Sequence, residues 1–520
     1  MPRQSYESTP SPEEEPVSVK MFSKYGALLC LMMWMFPAAL FAQQTAAQKV
    51  WSSGVQAIST ETLMEYVQDL IVIADSSKMR TLYWGRITGS DADHETADYL
   101  QQRLAGAGYD EIAMERIPWE RTYPAHWSVH APADVEDAGN RTMLSSAFPV
   151  VLPMDTGQQA TRIRGELAYI GAGSAIDFLH QDVREKIVLI ESRTLQGVGL
   201  HTGAIGAYQR AVENGAIGVL ITLDTPGNYM ASLPLFFPMD AERQVPAFTI
   251  GREDGEQIYE YLLQSQSRLP IWVNMEFAQE PEPTTHTYNI TAWLPGTTPS
   301  VVIVTASMAS QFTGATGNAA GLAGLLGLAD FIENIPDEFR EKSYLFVGLG
   351  GDNTGNPGME VFLDSPDISW DNVAVLINLD NPVGSDTRFL MNRNLTTMND
   401  IPRLLWISNG NARLGQYCQS IVQQYQLSPV ITQTPSFLEQ IPGAVRMAGE
   451  RVPAMTLTGI SALRNTTADV PEQFTGEQLQ RFIRAHAELL MKIDTTPLEV
   501  FQESGDMELS VPLPDLPWPR

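Results

Sequence analysis

The chain has 520 residues, of which 44% are apolar and 18% charged, so it can build packed cores and is neither disordered nor collagen-like. Its 61 acidic and 33 basic residues give a formal net charge of -28, which argues against binding to phosphate backbones. The two cysteines, Cys30 and Cys418, are too few for a disulfide scaffold or a thiolate zinc site.

The first 42 residues are predicted to be a leader that is removed on export. The stretch 24–44, KYGALLCLMMWMFPAALFAQQ, has a positive residue, an apolar run and small residues, which is the layout of a secretory signal peptide cleaved after Ala42. The acidic run before it favours a true start at Met21. An uncleaved membrane anchor is the alternative, because the apolar run nearly reaches spanning length, but Pro37 favours cleavage. We therefore expect a secreted or periplasmic protein without membrane contact beyond the leader.

The next segment, residues 43–130, is predicted to contain a helix, a loop and a second helix over 49–125. In ADHETADYLQQRLAGAG, three apolar residues share one helical face and glycines follow, as at a helix C-terminus. These apolar residues are Ala97, Leu100 and Leu104.

Residues 131–283 change character to short apolar runs and are predicted to form a separate, mostly-β unit. Three of these runs are typical of strands: KIVLIES (186–192), GVLITLD (218–224) and PAFTIG (246–251). Between the first two, AIGAYQRAVENG predicts a short helix that ends at Gly215.

From 284 to 500 the pattern alternates between strand and helix. The predicted buried strands are VVIVTAS (301–307), YLFVGLG (344–350) and VAVLINLD (373–380). Asn318 is predicted to cap a helix whose apolar face carries Leu322, Leu325, Leu326 and Ala329. Such alternation predicts an α/β fold with a mostly parallel sheet covered by helices on both faces. Residues 501–520 are predicted to be a proline-rich, acidic, extended tail.

A binding site in such a fold is expected outside the carboxyl ends of the strands. Three predicted strands end there in polar residues, at Ser307-Met308, Gly351-Asp352-Asn353 and Asp380-Asn381. A fourth polar loop, ALRNTTADVPEQF (462–474), precedes the last predicted helix. We expect these four segments to meet at one edge of the sheet.

These segments resemble the family-28 zinc metallopeptidases, in particular the carboxypeptidase Q-like branch, which carries an inserted protease-associated domain. The resemblance covers most of the chain and rests on strings that follow the family's order: GSDADHETADYLQQRL, KIVLIES, AYQRAVENGAIGVLITLD, TYNITAWLPGTTPSVVIVTAS, GATGNAAGLAGLLGLADFI, YLFVGLGGDNTGNPGMEVF, INLDNPVGS and RNTTADVPEQF. It implies a zinc-aminopeptidase-like α/β domain, 43–130 with 284–500, and a mostly-β protease-associated domain inserted at 131–283.

The resemblance also implies a catalytic site with two zinc ions about 3.5–4 Å apart, which activate a bridging water. Two histidines, a bridging carboxylate and two further carboxylates bind the metals in the family, and a glutamate is the general base. The matching ligand positions here are Met308, Gly317, Asn353, Asp380 and Asn465, and the general-base position is Asp352. Only Asp380 keeps its family residue, although Thr466 and Asp469 of the last motif also remain.

These replacements predict that no zinc is bound and that the protein is catalytically inactive. Met308 offers a thioether, Gly317 offers no side chain, and Asn353 and Asn465 offer neutral amides, none of which suits zinc. Asp352 could accept a proton, but it would have no metal-bound water to act on. Met308 is expected to fill the vacated space as a packing residue.

Two alternative interpretations concern the surviving acidic residues. Asp380 could simply cap the turn after its strand. Asp352, Asn353 and Asp380 could together hold a calcium ion through their oxygen atoms, although Asp-, Asn- and Gly-rich loops are usually plain turns.

The histidines lie outside the motifs that the resemblance locates, and they are His94, His126, His130, His180, His201, His286 and His486. His126 and His130 have the i, i+4 spacing of a helical metal pair, but Pro124 and the lack of a nearby HExxH-type glutamate argue for a structural or surface role. A serine hydrolase is disfavoured because no histidine lies in the motif loops near Ser307 or Ser310.

Two functions are compatible with these residues. The first is an exported pseudoenzyme that binds a peptide or protein partner, either in the groove of the peptidase fold or through the inserted domain. The second is an active zinc exopeptidase whose metal is held by residues that the motifs do not identify.

Overall fold

The computed structural model describes residues 46–132, 141–153, 160–192, 203–223, 225, 227–233, 244–264, 270–351, 355–384, 386–389, 395–398, 400–427, 430–432, 441–459, 461 and 463–505. The predicted leader (1–42), the Asp352-Asn353 pair, His201 and most of the predicted tail lie outside these residues. Predictions about them remain predictions.

The chain divides into two compact units, residues 1–53 and residues 54–520. In the first unit, the described residues 46–53 are helical. The second unit contains all the elements that follow.

The labelled helices of the second unit are, in chain order, α1 (Thr60–Lys78), α2 (Asp91–Ala107), α3 (Ala175–Leu179), α4 (Ala204–Glu213), α5 (Arg252–Gln264), α6 (Ala320–Glu333), α7 (Pro357–Leu363), α8 (Ala412–Gln424), α9 (Gly443–Gly449), α10 (Gly476–Asp494) and α11 (Leu498–Gln502). The strands are β1 (Glu111–Pro132), β2 (Arg141–Met143), β3 (Phe148–Val151), β4 (Thr161–Tyr169), β5 (Lys186–Ser192), β6 (Gly218–Leu223), β7 (Ala247–Ile250), β8 (Trp272–Leu294), β9 (Val301–Ser307), β10 (Ser343–Leu349), β11 (Val373–Asn378), β12 (Asp386–Phe389), β13 (Leu395–Met398), β14 (Arg403–Ile407), β15 (Val430–Thr432) and β16 (Ala454–Gly459).

One 14-stranded sheet connects the predicted peptidase-like region with the predicted insert. Its order is β15-β14-β16-β11-β9-β10-β8-β4-β5-β6-β7-β3, with β1 paired to β8 and β2 to β1. The pairs β9/β10, β9/β11 and β11/β16 are parallel, as are β4/β5, β5/β6 and β6/β7. A separate two-stranded sheet contains β12 and β13. The predicted mixed α/β class is confirmed.

Helices cover the parallel strands because those strands are apolar throughout. Val301, Ile303 and Leu376 join a buried cluster with side chains of α7 and α9. Since successive residues of a strand point to opposite faces, Val302 and Val304 belong to the other face, and α6 packs against β9 and β10.

Helix α6 is a buried core helix. The segment Ala315–Glu333 is long and apolar enough to cross a membrane, but 94% of its apolar window is buried inside the protein. The predicted apolar face, from Leu322 to Ala329, is buried along with nearly all the rest of the helix. It therefore behaves as the central helix of a packed core.

Two sequence-based predictions in this region are wrong. Asn318 does not cap α6: the helix begins at Ala320 after a π-turn, Ala315–Ala319, and Asn318 has a left-handed backbone with φ of 86°. Residues 111–125 are not helical but belong to β1.

The predicted domain boundaries near 131 and 283 fall inside the long antiparallel pair β1 and β8.

Candidate functional site

The positions that the sequence singled out lie where the parallel strands end. Met308 directly follows β9, Asp380 follows β11, Gly317 lies in the π-turn before α6, and Asn465 lies in the loop before α10. Asp352 and Asn353 follow β10 and lie outside the described residues. Backbone and side-chain contacts bring the four described positions to one edge of the sheet.

Asp380 is buried, and both of its carboxylate oxygens accept hydrogen bonds from the protein. The backbone N–H of Ser307 donates to Oδ1 at 2.9 Å, and the Asn378 side-chain amide donates to Oδ2 at 3.2 Å. The hydroxyl of Thr458 donates to the Asp380 carbonyl oxygen at 3.0 Å. These bonds tie the ends of β9, β11 and β16 together, so Asp380 stabilises the sheet edge.

Met308 is fully buried and packs as an apolar side chain. It lies over Gly348 of β10, where a Cβ atom would be 3.3 Å from both the Cγ and the Sδ of Met308. Its N–H donates to the Leu349 carbonyl at 2.9 Å, which extends the pairing of β9 with β10.

Gly317 and Asn465 face one another across the same edge. A Cβ atom on Gly317 would lie 3.7 Å from the Asn465 Oδ1 and 2.9 Å from the Asp469 Oδ2. The N–H groups of Thr316 and Gly317 donate to the two oxygens of Asp469, each at 2.8 Å. A carboxylate at 317 would therefore meet a buried carboxylate already engaged by the π-turn.

Burial is the main reason why the pKa of Asp469 is raised, against the lowering effect of its hydrogen bonds from Thr316 and Gly317. Burial in turn lowers the pKa of the fully buried Arg86 guanidinium to about 10, while the charges of Asp469, Asp93 and Asp75 act in the opposite direction. Arg86 donates to the carbonyl oxygens of Met308 and Leu70, both at 3.1 Å. Arg86 thus anchors the start of the loop after β9.

Several polar side-chain atoms at this edge are buried and have no hydrogen-bond partner within the described part of the chain. They are Arg86 Nη2, Ser307 Oγ, Ser310 Oγ, Gln311 Nε2, Thr316 Oγ1, Asn318 Oδ1, and Asn381 Nδ2 and Oδ1. Apart from the arginine, all of these side chains are neutral. The site is thus rich in uncharged hydrogen-bonding groups and poor in carboxylates.

The described loops that follow β9 and β11 at this site are also buried. Every residue from 301 to 320 and from 373 to 384 is buried. The loop after β9 is held against the insert by Phe312, whose ring packs edge-on against Phe148 and Trp84 at centroid distances of 5.0 and 5.5 Å. Phe312 has a left-handed backbone with φ of 56°, a conformation that a bulky residue adopts only when its surroundings enforce it.

A second contact joins the insert to the loop that carries Asn465. Ala231 and Thr466 form an isolated antiparallel bridge. The Ser232 N–H donates to the Asn465 carbonyl at 2.9 Å, and the Thr467 N–H donates to the Met230 carbonyl at 3.0 Å. Sequence reasoning missed these contacts and the role of Phe312, because they join segments far apart in the chain.

The described residues do not fit a zinc pair. They contain no group of three or more His, Cys, Asp or Glu side chains placed to hold a metal ion. The donors at the predicted ligand positions are a packed thioether, a glycine and a neutral amide, and Asp380 is held by Ser307 and Asn378. The alternative in which Asp380 only stabilises its turn agrees with these bonds.

The described histidines lie in other settings. His94 stacks on His286 with centroids 4.2 Å apart, and His486 is buried within α10. His126 and His130 lie on β1 and not on a helix, so four residues separate them by about 13 Å along the strand. They cannot bind one metal ion as a helical i, i+4 pair does.

Comparisons with known proteins agree with this architecture. Residues 149–258 match the PA domain family. Among solved structures, a peptidase M28 precursor from Shewanella amazonensis SB2B is 15% identical with a TM-score of 0.66, covering 87% of this chain and 97% of that one. A search of curated proteins finds no match.

Two further solved structures are aminopeptidases. The zinc aminopeptidase BSAP from Bacillus subtilis is 16% identical with a TM-score of 0.58, covering 85% of this chain and 97% of that one. An aminopeptidase from Aneurinibacillus sp. strain AM-1 is 17% identical with a TM-score of 0.54, covering 84% and 94%. Identities this low establish the fold, and with the PA domain they confirm the predicted resemblance to a family-28 metallopeptidase carrying such a domain.

Proposed function

We propose that this protein, which has the M28 peptidase fold and a PA domain, is an exported binding protein that does not hydrolyse peptides. The observation that carries the proposal is the state of the predicted ligand positions. Met308 is a packing residue, Gly317 has no side chain, and Asp380 uses both carboxylate oxygens for hydrogen bonds within the protein. Two doubly charged ions need far more negative charge than this edge offers.

Enclosure of the site supports the same proposal. A peptidase must admit a peptide to its reacting groups, whereas the loops after β9 and β11 are buried here. Phe312 packs the loop after β9 against Phe148, beside the PA domain match, and the Ala231–Thr466 bridge joins the PA domain to the loop before α10. We infer that partners bind elsewhere on the surface, with the PA domain as the favoured region.

The alternative function is an active zinc exopeptidase. It is favoured by the likeness in fold to the zinc aminopeptidase of Bacillus subtilis. It would require histidines or carboxylates that enter the site from unexpected loops. The absence of any metal-binding group of His, Cys, Asp and Glu among the described residues argues against it.

Zinc content and hydrolysis separate the two functions. The mature protein, purified without chelators and supplied with zinc, is analysed by elemental mass spectrometry and assayed on aminoacyl and dipeptide substrates. We expect much less than one zinc per chain and no hydrolysis above the blank. Two zinc ions per chain together with chelator-sensitive hydrolysis would overturn the proposal.

A restored variant provides the positive control. It combines Met308→His, Gly317→Asp, Asn353→Glu and Asn465→His with Asp352→Glu for the base. We expect this variant to bind more zinc than the native chain, because it regains imidazole and carboxylate ligands. We also expect it to be less stable, because a carboxylate at 317 would face Asp469. Native protein that binds two zinc ions per chain, whatever the variant binds, would contradict the proposal.

A further inference from the structure

One face of the sheet, on β1, β8 and β4, presents a regular array of polar and basic side chains, and of these strands β4 lies within the PA domain match. The strand pairing places His130 of β1 opposite Asn274 of β8, which in turn lies opposite Arg164 of β4. One step along, Glu276 of β8 lies opposite Arg162 of β4. We call these five residues together with Trp272 the basic sheet face.

The basic sheet face is accessible: Arg162, Arg164 and Trp272 are exposed, and His130, Asn274 and Glu276 are half-buried. The alternate residues of β1 and β8, including Val129, Val273 and Met275, point into a buried apolar cluster. Farther along the same sheet, α4 covers the strands through a second cluster that includes Ala168, Val188 and Ala207. On the basic sheet face, a groove of about 510 Å³ is lined by five residues of the face, together with Ile163 and Met275. That volume lies in the range of ligand sites, about 300–1,000 Å³.

The charges in this groove differ in sign from the protein as a whole. The chain carries a net charge of -28 with histidine counted as neutral, yet the groove contains Arg162 and Arg164 against Glu276 alone. Arg162 pairs with Glu276 at 3.0 Å, and both side chains are accessible to solvent, so this pair can exchange readily. Arg164 forms no ion pair with any described residue.

Arg164 is also held in a defined position. Its guanidinium lies over the Trp272 ring, 4.9 Å from the centroid, which orients its donors and leaves them accessible. Beside it, the Oδ1 atom of Asn274 is buried and has no hydrogen-bond partner in the described structure. The groove therefore offers cationic donors and one acceptor that the protein itself does not use.

We propose that the basic sheet face binds an acidic peptide segment in an extended conformation. Arg162 and Arg164 are two residues apart on β4, so their side chains emerge on one face about 6.6 Å apart. The carboxylates of a Glu-x-Glu sequence in an extended peptide have the same spacing. Asn274 Oδ1 would accept a backbone N–H of that peptide. This inference rests on the proposed binding function and names its partner chemistry.

The acidity of the whole chain does not prevent such binding. At physiological ionic strength, charges farther than about 8 Å from the peptide are largely screened. Contacts inside the groove act over much shorter distances, and charge-assisted hydrogen bonds from guanidinium to carboxylate are the strong ones. Affinity is accordingly expected to fall as salt rises.

The test uses the mature full chain and fluorescein-labelled hexapeptides in anisotropy titrations. The probe is Gly-Glu-Gly-Glu-Gly-Glu, and its matched isomer is Gly-Glu-Glu-Gly-Gly-Glu, which has the same composition but no pair of glutamates two residues apart. We expect saturable binding of the alternating peptide and roughly tenfold weaker binding of the isomer, equivalent to one charge-assisted contact. A Gly-Lys-Gly-Lys-Gly-Lys peptide should not bind.

Variants locate the site. We expect Arg164→Ala to weaken binding of the alternating peptide by roughly tenfold or more. Arg164→Lys should lose less affinity, because lysine keeps the positive charge but not the planar set of guanidinium donors. The control is Arg413→Ala, an exposed arginine at the start of α8, which should leave binding unchanged. The inference would be overturned if both isomers bound with equal affinity, or if Arg413→Ala weakened binding as much as Arg164→Ala. It would also be overturned if titration with the alternating peptide did not saturate.

Failure of this inference is distinguishable from failure of the proposed function. Zinc content and hydrolysis are measured on the same preparations as the peptide titrations. If the protein has no zinc and no activity and does not bind the acidic peptide, only the assignment of the basic sheet face is refuted. Protein that binds two zinc ions and hydrolyses peptides refutes the proposed function, whatever the titrations give.

Discussion

Two regions of the molecule concentrate polar side chains. The first is the sheet edge formed by the loops after β9 and β11, where these side chains are buried. The second is the basic sheet face, where they are exposed. At the first, neutral hydroxyls and amides are buried, and Asp380, Asp469 and Arg86 are bound by the protein itself. At the second, arginines lie in solvent, and the donors of Arg164 have no carboxylate partner among the described residues. The charged side chains of the first region are engaged within the fold, whereas the arginines of the second are accessible to a partner.

This difference has an energetic consequence. A buried polar group that loses its partner incurs the full cost of desolvation, whereas an exposed one regains water. Substitutions at the edge formed by the loops after β9 and β11 should therefore cost stability, and substitutions on the basic sheet face should cost binding. Variants in both regions test that contrast, and the most severe loss is expected at Phe312.

Phe312→Ala should destabilise the protein by about 3–5 kcal/mol, since it empties the space between Phe148 and Trp84. It should also free the loop after β9, so that amides of residues 308–319 exchange hydrogen faster. Urea unfolding and hydrogen exchange measure the two effects.

The matched control is Phe362→Ala, a buried phenylalanine of the cluster beside α7. It should cost similar stability without a selective increase in exchange at 308–319. If both variants accelerate exchange in that loop equally, the PA domain does not hold the loop through Phe312.

Stability should fall in acid because of His486. Burial lowers its pKa from 6.5 to about 4, and its Nδ1 lies 2.9 Å from the Phe482 carbonyl. Above pH 6.5 the imidazole is neutral in both the folded and the unfolded state, so its titration does not lower the free energy of unfolding. As pH falls below 6.5 the unfolded state takes up a proton first, so stability drops by about 2 kcal/mol at pH 5 and about 3 kcal/mol below pH 4.

His486→Gln isolates this effect, because buried carboxylates with raised pKa values, such as Asp469 and Asp494, act with the opposite sign over part of the same range. For them the folded state keeps the proton longer, so stability falls as pH rises through their titration. The difference between native and variant unfolding free energies should shrink from pH 8 to pH 5. A constant difference would show that His486 does not titrate as described.

Asp380→Asn should lower the free energy of unfolding by about 1–3 kcal/mol, because an amide cannot accept from both Ser307 and Asn378. Zinc content should not change, since Asp380 is not expected to hold a metal. The control Asp364→Asn replaces an exposed carboxylate and should stay within about 0.5 kcal/mol of the native chain. A variant that keeps native stability but loses bound zinc would make Asp380 a ligand.

The sequence predicts the parts of the fold in which local pattern and environment agree. The apolar runs form β5, β9, β10 and β11 almost residue for residue, because a strand buried on both faces needs an uninterrupted apolar sequence. The paired strands β1 and β8 escape prediction, since they alternate with charged residues and contain prolines. Nothing local distinguishes such a long ribbon from a loop.

The candidate site is predictable in position but not in its contacts. The resemblance to family-28 metallopeptidases implies that Gly317 and Asn465 lie together, and they do face one another. The sequence favours a helix cap at Asn318, but its side chain instead donates to the Ala309 carbonyl at 2.6 Å from a left-handed backbone. The enclosure by Phe312 and the Ala231–Thr466 bridge depends on distant segments, so no local pattern predicts it.

The mildest consequence for stability is expected on the basic sheet face. Arg164→Ala removes a guanidinium that lies over Trp272 at the surface, so the free energy of unfolding should fall by at most about 1 kcal/mol, the size of an exposed cation–π contact. Urea unfolding of this variant, beside Arg413→Ala, measures it. The contrast between the two regions holds if Arg164→Ala lowers peptide affinity but leaves the free energy of unfolding nearly unchanged. That result is expected only for a residue that does not stabilise the fold. If Arg164→Ala is as destabilising as Phe312→Ala, the arginine supports the fold, and the weakened titrations would reflect unfolding.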